Sequence, residues 1–229
     1  MDREVLGVLK ALPHVHPADP GMDWFSSPDY YPVYAAVGRL LRPRTLLELG
    51  ARLGYSLVAL AHGSRRLTRF WWVDNESYLP GSNAACRENL EAYFRAWRPD
   101  LPPPRVRFAP SWEGLGGGEG PAGLPSWGVD LAHVDGDHSY EGKLRDLKRV
   151  WDRARVVLVD DYRLPSVGAA VREWAARQGA PYLVLDTLER GLVVFDRTPE
   201  GGVLARLAES GLPRLERAGE RGGMEGDGC

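Results

Sequence analysis

Residues 132 to 140 read Ala132-His133-Val134-Asp135-Gly136-Asp137-His138-Ser139-Tyr140, and a second acidic pair, Asp160-Asp161, closes the apolar run Val156-Val157-Leu158-Val159. A charge that leaves water stays ionised only when it is paired or bound to a metal. Carboxylates gathered at the ends of two strand-like runs therefore suggest a site for a hard divalent cation and an oxygen substrate.

Those acids need elements to position them. From Thr45 onward, short β-rich runs alternate with helical patterns, as in a parallel sheet covered on both faces. The runs predict strands at Thr45 to Leu49, Phe70 to Asp74, Val106 to Ala109, Val129 to Asp135, Val156 to Asp160, Tyr182 to Asp186 and Leu192 to Phe195. Tyr140, Leu144, Leu147 and Trp151 share one helical face, as do Val167, Ala170, Val171 and Trp174, and Pro165 and Gly179 punctuate the second helix. Thr187 to Gly191 is too short for a crossover helix, so the last two strands must form an antiparallel hairpin. The expected fold class is α/β, a seven-stranded and mostly parallel sheet with helices on both faces.

The expected division is N-terminal helices with a candidate substrate lid over residues 1–42, a core domain over 43–197 and a partly disordered tail over 198–229. The lid candidates are the aromatics Trp24, Phe25, Tyr30 and Tyr31, in or beside a proline-broken loop. The stretch from Ser111 to Trp127, with its glycine triplet, reads as a mobile loop, and Val203 to Leu207 as one weakly amphipathic stretch in the tail.

With 229 residues, 44% of them apolar, the chain has enough to build one core and is not generally disordered. No run approaches the roughly 18 apolar residues of a membrane span, and the first helix is too charged for a secretory signal, so the expectation is a cytoplasmic enzyme. Cys86 and Cys229 form no framework or metal pattern, which suits a reducing compartment. Net charge is −2 and the arginines are scattered among acids without forming a block, so neither nucleic acid nor membrane is an expected partner. A homo-oligomer is left open.

After the first strand comes Glu48-Leu49-Gly50-Ala51-Arg52-Leu53-Gly54-Tyr55-Ser56, a glycine-bearing turn that opens a helix and lets a ligand approach the backbone. The dinucleotide fingerprint is not met, because Arg52 occupies its middle glycine position. Glu48 could face a ligand's ammonium group. Asp74, at the end of the second strand, stands where a carboxylate receives ribose hydroxyls, the alternative being that it caps the next turn. Ser111 and Trp112, past the third strand, are placed to meet an adenine.

Taken together, the glycine turn, the strand ending in Asp74, the run Asp135-Gly136-Asp137-His138-Ser139-Tyr140-Glu141-Gly142 and the pair Asp160-Asp161 resemble small-molecule O-methyltransferases related to macrocin O-methyltransferase, and more distantly catechol O-methyltransferase. The likeness spans about residues 30 to 197. It implies the seven-stranded class I methyltransferase fold, in which the last strand inserts beside the fifth. It also implies S-adenosylmethionine over the glycine turn, contacted by Glu48, Gly50, Gly54, Ser56, Asp74, Ser111, Trp112 and Asp135. Magnesium or another divalent cation is implied on Asp135, Asp160 and Asp161, and the acceptor is a small hydroxylated molecule.

The general base is open between His138 and Asp137. An imidazole titrates near working pH, and a helix starting near Ser139, together with the metal, would oppose its protonation. Against this, Asp137 or Ser139 could be a helix N-cap and His138 a loop residue. The rival readings are a nicotinamide-dependent oxidoreductase and a non-catalytic S-adenosylmethionine-binding module.

Overall fold

The computed structural model describes residues 3–15, 30–111, 128–187, 190–198 and 201–218. In chain order the elements are α1 (Glu4–Lys10), α2 (Tyr30–Leu41), β1 (Thr45–Leu49), α3 (Tyr55–Gly63), β2 (Arg69–Val73), α4 (Ser82–Trp97) and β3 (Arg105–Ala109). They continue with β4 (Val129–Val134), α5 (Tyr140–Trp151), β5 (Ala154–Val159), α6 (Pro165–Gln178), β6 (Tyr182–Leu185), β7 (Leu192–Asp196), α7 (Val203–Glu209) and β8 (Arg214–Ala218).

One mixed sheet of eight strands runs in the order β3-β2-β1-β4-β5-β7-β6-β8. The first five strands pair in parallel, and β7 lies antiparallel between β5 and β6. This is the Rossmann-like class I methyltransferase fold. The expected strands are present with ends shifted by one or two residues, within the usual ambiguity of boundaries. The eighth strand is a correction: β8 pairs antiparallel with β6, using backbone groups that the charged tail sequence does not advertise.

β1 is buried along its whole length because helices cover both faces of the sheet. On one face Val33, Val37, Leu57, Leu60 and Phe94 pack from α2, α3 and α4. On the other, Leu147, Trp151, Val171 and Trp174 pack from α5 and α6, the two indoles meeting edge to face at 5.6 Å. Tyr30 and Tyr31 open α2 as buried first-turn residues, so they are wall rather than lid, whereas Trp24 and Phe25 lie outside the described residues. Among the described residues no helix is long and apolar enough to cross a membrane.

Candidate active site

The chain reverses its order between β1 and β4, and open α/β sheets bind ligands beyond the carboxyl ends of strands at such a point. The end of β1 delivers Gly50, whose φ is +86° and where a Cβ would stand 2.4 Å from the carbonyl oxygen of Asp135. Only glycine lets the two strand ends come this close. The turn is braced from β2: the Asp74 carboxylate accepts the Arg52 N–H at 2.6 Å and the Glu76 N–H at 2.7 Å. Asp74 thus caps its own turn and supports the glycine turn at once. The Arg52 guanidinium lies 4.3 Å over the Tyr78 ring. An open cleft of about 1290 Å³ follows, lined among others by Gly50, Asp74, Ser111, Asp135 and Asp137. Trp112, expected beside it, lies outside the described residues.

A second cleft, of about 610 Å³, adjoins the first across Gly50, Arg52 and Asp135, and adds Tyr30, Tyr31, Ser56 and Arg190. Beneath it Glu48 has no exposed surface. Its Oε1 accepts the Ser56 hydroxyl and pairs with His133 Nδ1 at 3.0 Å, while His133 Nε2 lies 3.2 Å from the Tyr34 hydroxyl. Burial raises the Glu48 pKa against the pull of His133. Burial would lower that of His133, but the Glu48 carboxylate outweighs it and the imidazole pKa is raised. Glu48, expected to face a ligand's ammonium group, thus has its Oε1 engaged by Ser56 and His133 below the cleft floor, while its Oε2 is buried without a hydrogen-bond partner among the described residues. Gly54, with φ +75°, starts α3 from the left-handed region and packs against Cys86.

At the ends of β4 and β5 the carboxylates converge. Ligand atoms of Asp135, His138 and Asp161 lie within 4.8 Å of one another. Asp161 holds φ +61°, a conformation that costs a non-glycine residue about 1 kcal/mol or more and persists only where its surroundings demand it. Its Oδ1 accepts Arg190 at 2.8 Å, and its Oδ2 lies 3.2 Å from His138 Nε2. Asp160 does not share that group of three: its Oδ2 accepts the Tyr30 hydroxyl and its Oδ1 is buried. Burial, then the charges of Asp135 and Asp161, push the Asp160 carboxyl up to about 6. Asp135 moves the other way; burial would raise it, but His138, His133, Lys143 and Arg52 overrule that and hold it ionised. Lys143 is itself wholly buried, with its Nζ 3.3 Å from the Val134 carbonyl.

Asp160 Oδ1 is buried with no hydrogen-bond partner among the described residues, and Asp161 Oδ2 and His138 Nε2, buried as well, have only each other and Asp135 close by. Carboxylate oxygens gathered at two strand ends are a donor set suited to a hard divalent cation, so the residues fit one.

The two candidate bases differ sharply. Asp137 is exposed, accepts Ser139 N–H at 2.9 Å and Arg145 at 2.9 Å, and the Ser139 amide holds its pKa below the ordinary carboxylate value. His138 is half-buried, and its bond to Asp135 raises its pKa despite desolvation. The carboxylates of Asp135 and Asp161 beside the ring set this direction. Ser139 is the N-cap of α5, accepting the Gly142 N–H at 3.1 Å. Sequence reasoning missed Arg190, seen only as a residue of a hairpin turn, and the roles of Tyr30 and His133, whose partners lie 130 and 85 positions away in the chain.

Fold and site together define a Rossmann-like methyltransferase. Residues 47–162 match a family model described as a methyltransferase domain, and since this is half of the chain, the protein belongs to that family. No curated protein matches its sequence. Among solved structures, an O-methyltransferase from Bacillus cereus in complex with SAH is similar at 16% identity, with 84% of this chain and 89% of that one covered and a TM-score of 0.55. CalS11, a TDP-rhamnose 3'-O-methyltransferase of calicheamicin biosynthesis, is similar at 18% identity, 85% and 91% coverage and TM-score 0.55. A putative RNA methyltransferase from Pyrococcus horikoshii shares the fold at 12% identity, 86% and 98% coverage and TM-score 0.53.

Proposed function

We propose that the protein transfers the methyl group of S-adenosylmethionine to a hydroxyl of a small molecule with the help of a divalent cation. The observation that carries this reading is the convergence of Asp135, His138 and Asp161 beside the glycine turn that Asp74 braces. S-adenosylhomocysteine in the Bacillus cereus relative and a sugar hydroxyl as the acceptor of CalS11 support the donor and the acceptor class. The nucleoside belongs in the cleft of Asp74 and Ser111, and the methionine end reaches toward Ser56 and Tyr31 in the adjoining cleft.

The acceptor oxygen attacks the methyl carbon in line with sulfur. The C–S bond breaks with its electrons left on sulfur, and the acceptor's proton passes to His138 Nε2. Asp135 and Asp161 stabilise the resulting imidazolium, while Tyr30 and Arg190 fix Asp160 and Asp161 from the side. Asp135, Asp160 and Asp161 would hold the cation, which when bound lowers the pKa of the acceptor hydroxyl. Asp137 is a turn-forming residue in this scheme.

A screen of hydroxylated small molecules with labelled methyl donor, with and without magnesium, tests the proposal. Methylated product that depends on magnesium is expected. Tight nicotinamide binding with no response to S-adenosylmethionine defeats it, and binding of the donor without turnover on any hydroxyl compound returns the protein to a binding module.

A further inference from the structure

At the opposite edge of the sheet the fold collects arginines that are far apart in the sequence. Arg42 and Arg44 lie where α2 leads into β1, and Arg65, Arg66 and Arg69 where α3 leads into β2. Arg155 at the start of β5 and Arg206 on α7 complete the lining of one open groove with about 1750 Å³ of empty space. Among the described residues the only acid lining it is Asp130, and its Oδ2 is occupied by the backbone N–H groups of Arg44 at 2.8 Å and Thr45 at 3.2 Å.

Elsewhere arginines such as Arg87, Arg145, Arg177 and Arg197 rest against carboxylates. Among the described residues, none of the seven in the groove makes such a pair. In a chain whose net charge is −2, this is a concentrated positive field, seven guanidinium groups against the one carboxylate of Asp130 among the described lining residues.

We propose that this groove binds a linear oligophosphate through its phosphates alone. Guanidinium forks match phosphate oxygens bidentately, and the groove supplies several from separate chain segments. β2, β1, β4 and β5 are neighbours, so at about 4.8 Å between strands the arginines starting β2, β1 and β5 span roughly 14 Å. That row outreaches a single phosphate and suits a chain with a charge on every unit. No aromatic side chain among the described residues lines the groove, which removes the stacking platform that single-stranded bases require. Its concavity keeps it from lying flat on a bilayer. The groove lies a full strand length, on the order of 17–20 Å, from the acid cluster, so its ligand is not the methyl acceptor.

Calorimetric titration of the full chain with sodium tripolyphosphate tests this. One site is expected, weakened by added salt, with orthophosphate about tenfold weaker or more. Combined Arg44→Gln, Arg69→Gln and Arg155→Gln substitution should lower tripolyphosphate affinity about tenfold or more with the melting temperature retained. Arg65→Gln with Arg66→Gln, on an exposed turn, is a second variant that should weaken binding should the triple variant fold poorly. Arg177→Gln, outside the groove, should bind like wild type. Affinity equal to that of orthophosphate, or unaffected by either groove variant, overturns the proposal. So does displacement by poly-glutamate with equal potency, and so does single-stranded RNA that binds the groove and resists tripolyphosphate, which assigns the groove to nucleic acid.

Discussion

Replacing Asp160 by asparagine isolates the electrostatic cost of crowding carboxylates without their cation. The folded carboxyl is pushed from an ordinary 3.8 to about 6, chiefly by burial and by the charges of Asp135 and Asp161. The native state therefore holds this proton more tightly than the unfolded state does. Its contribution to stability is complete below the unfolded pKa of 3.8 and is lost as pH rises through the folded value of about 6. Because Asp160 is fully buried, the shift is not diluted by solvent. At ~1.36 kcal/mol per pH unit, the ionised side chain costs the fold about 3 kcal/mol at pH 8, and about half of that near pH 5. The amide introduced by the substitution can still accept from Tyr30 through oxygen and can donate toward the neighbouring carboxylates through nitrogen. Asp160→Asn should thus raise the melting temperature of chelator-treated protein by about 6–12 °C at pH 8 and by clearly less near pH 5, given ~2–4 °C per kcal/mol for a chain of this size. Magnesium should raise the melting temperature of wild type and leave the variant nearly unmoved, since cation binding adds stability only to a state that binds it. Turnover should fall sharply while donor affinity is kept. A variant that melts at or below wild type at pH 8 without metal refutes the reasoning.

The raised pKa of His138 predicts an imidazole titration midpoint above the ordinary value in chelator-treated protein, and kcat/KM should fall on the acid side as the ring protonates. His138→Gln should abolish that limb. Should the variant instead lose magnesium affinity and keep the limb, the nitrogen is a ligand and not the base. Asp74→Ala should weaken S-adenosylmethionine binding by about 10–100-fold in calorimetry, since it removes a charged acceptor and the brace on Arg52. Wild-type affinity would reduce Asp74 to a cap. Gly50→Ala drives a Cβ into the Asp135 carbonyl and should cost several kcal/mol in urea unfolding or block donor binding outright. Normal stability and binding would show that the strand ends need not approach. Tyr30→Phe removes the donor to Asp160 and should lower kcat by about tenfold with donor affinity unchanged; equal kcat would make that bond incidental.

Local pattern made most of the sheet legible. Apolar runs marked the strands, and Pro165 and Gly179 marked the ends of α6, because backbone conformation and burial on both faces leave short-range signatures. The short Thr187 to Gly191 connection dictated the hairpin, since no crossover fits five residues. β8 left no such mark, because an edge strand takes its order from the backbone groups of β6 and tolerates a charged sequence.

At the site, residue type and position at a strand end were enough to nominate Asp74, Asp135, His138, Asp160 and Asp161, since strand ends meet at the switch point whatever their exact register. Sequence alone could not decide how these acids divide their partners. Only the folded chain turns Asp160 toward Tyr30 and Asp161 toward Arg190, buries Glu48 beneath His133 and Ser56, and gathers scattered arginines into one groove. The physical reason is that chain order carries strand direction and burial, whereas the partner of a charge is set by which distant segments the sheet order brings side by side.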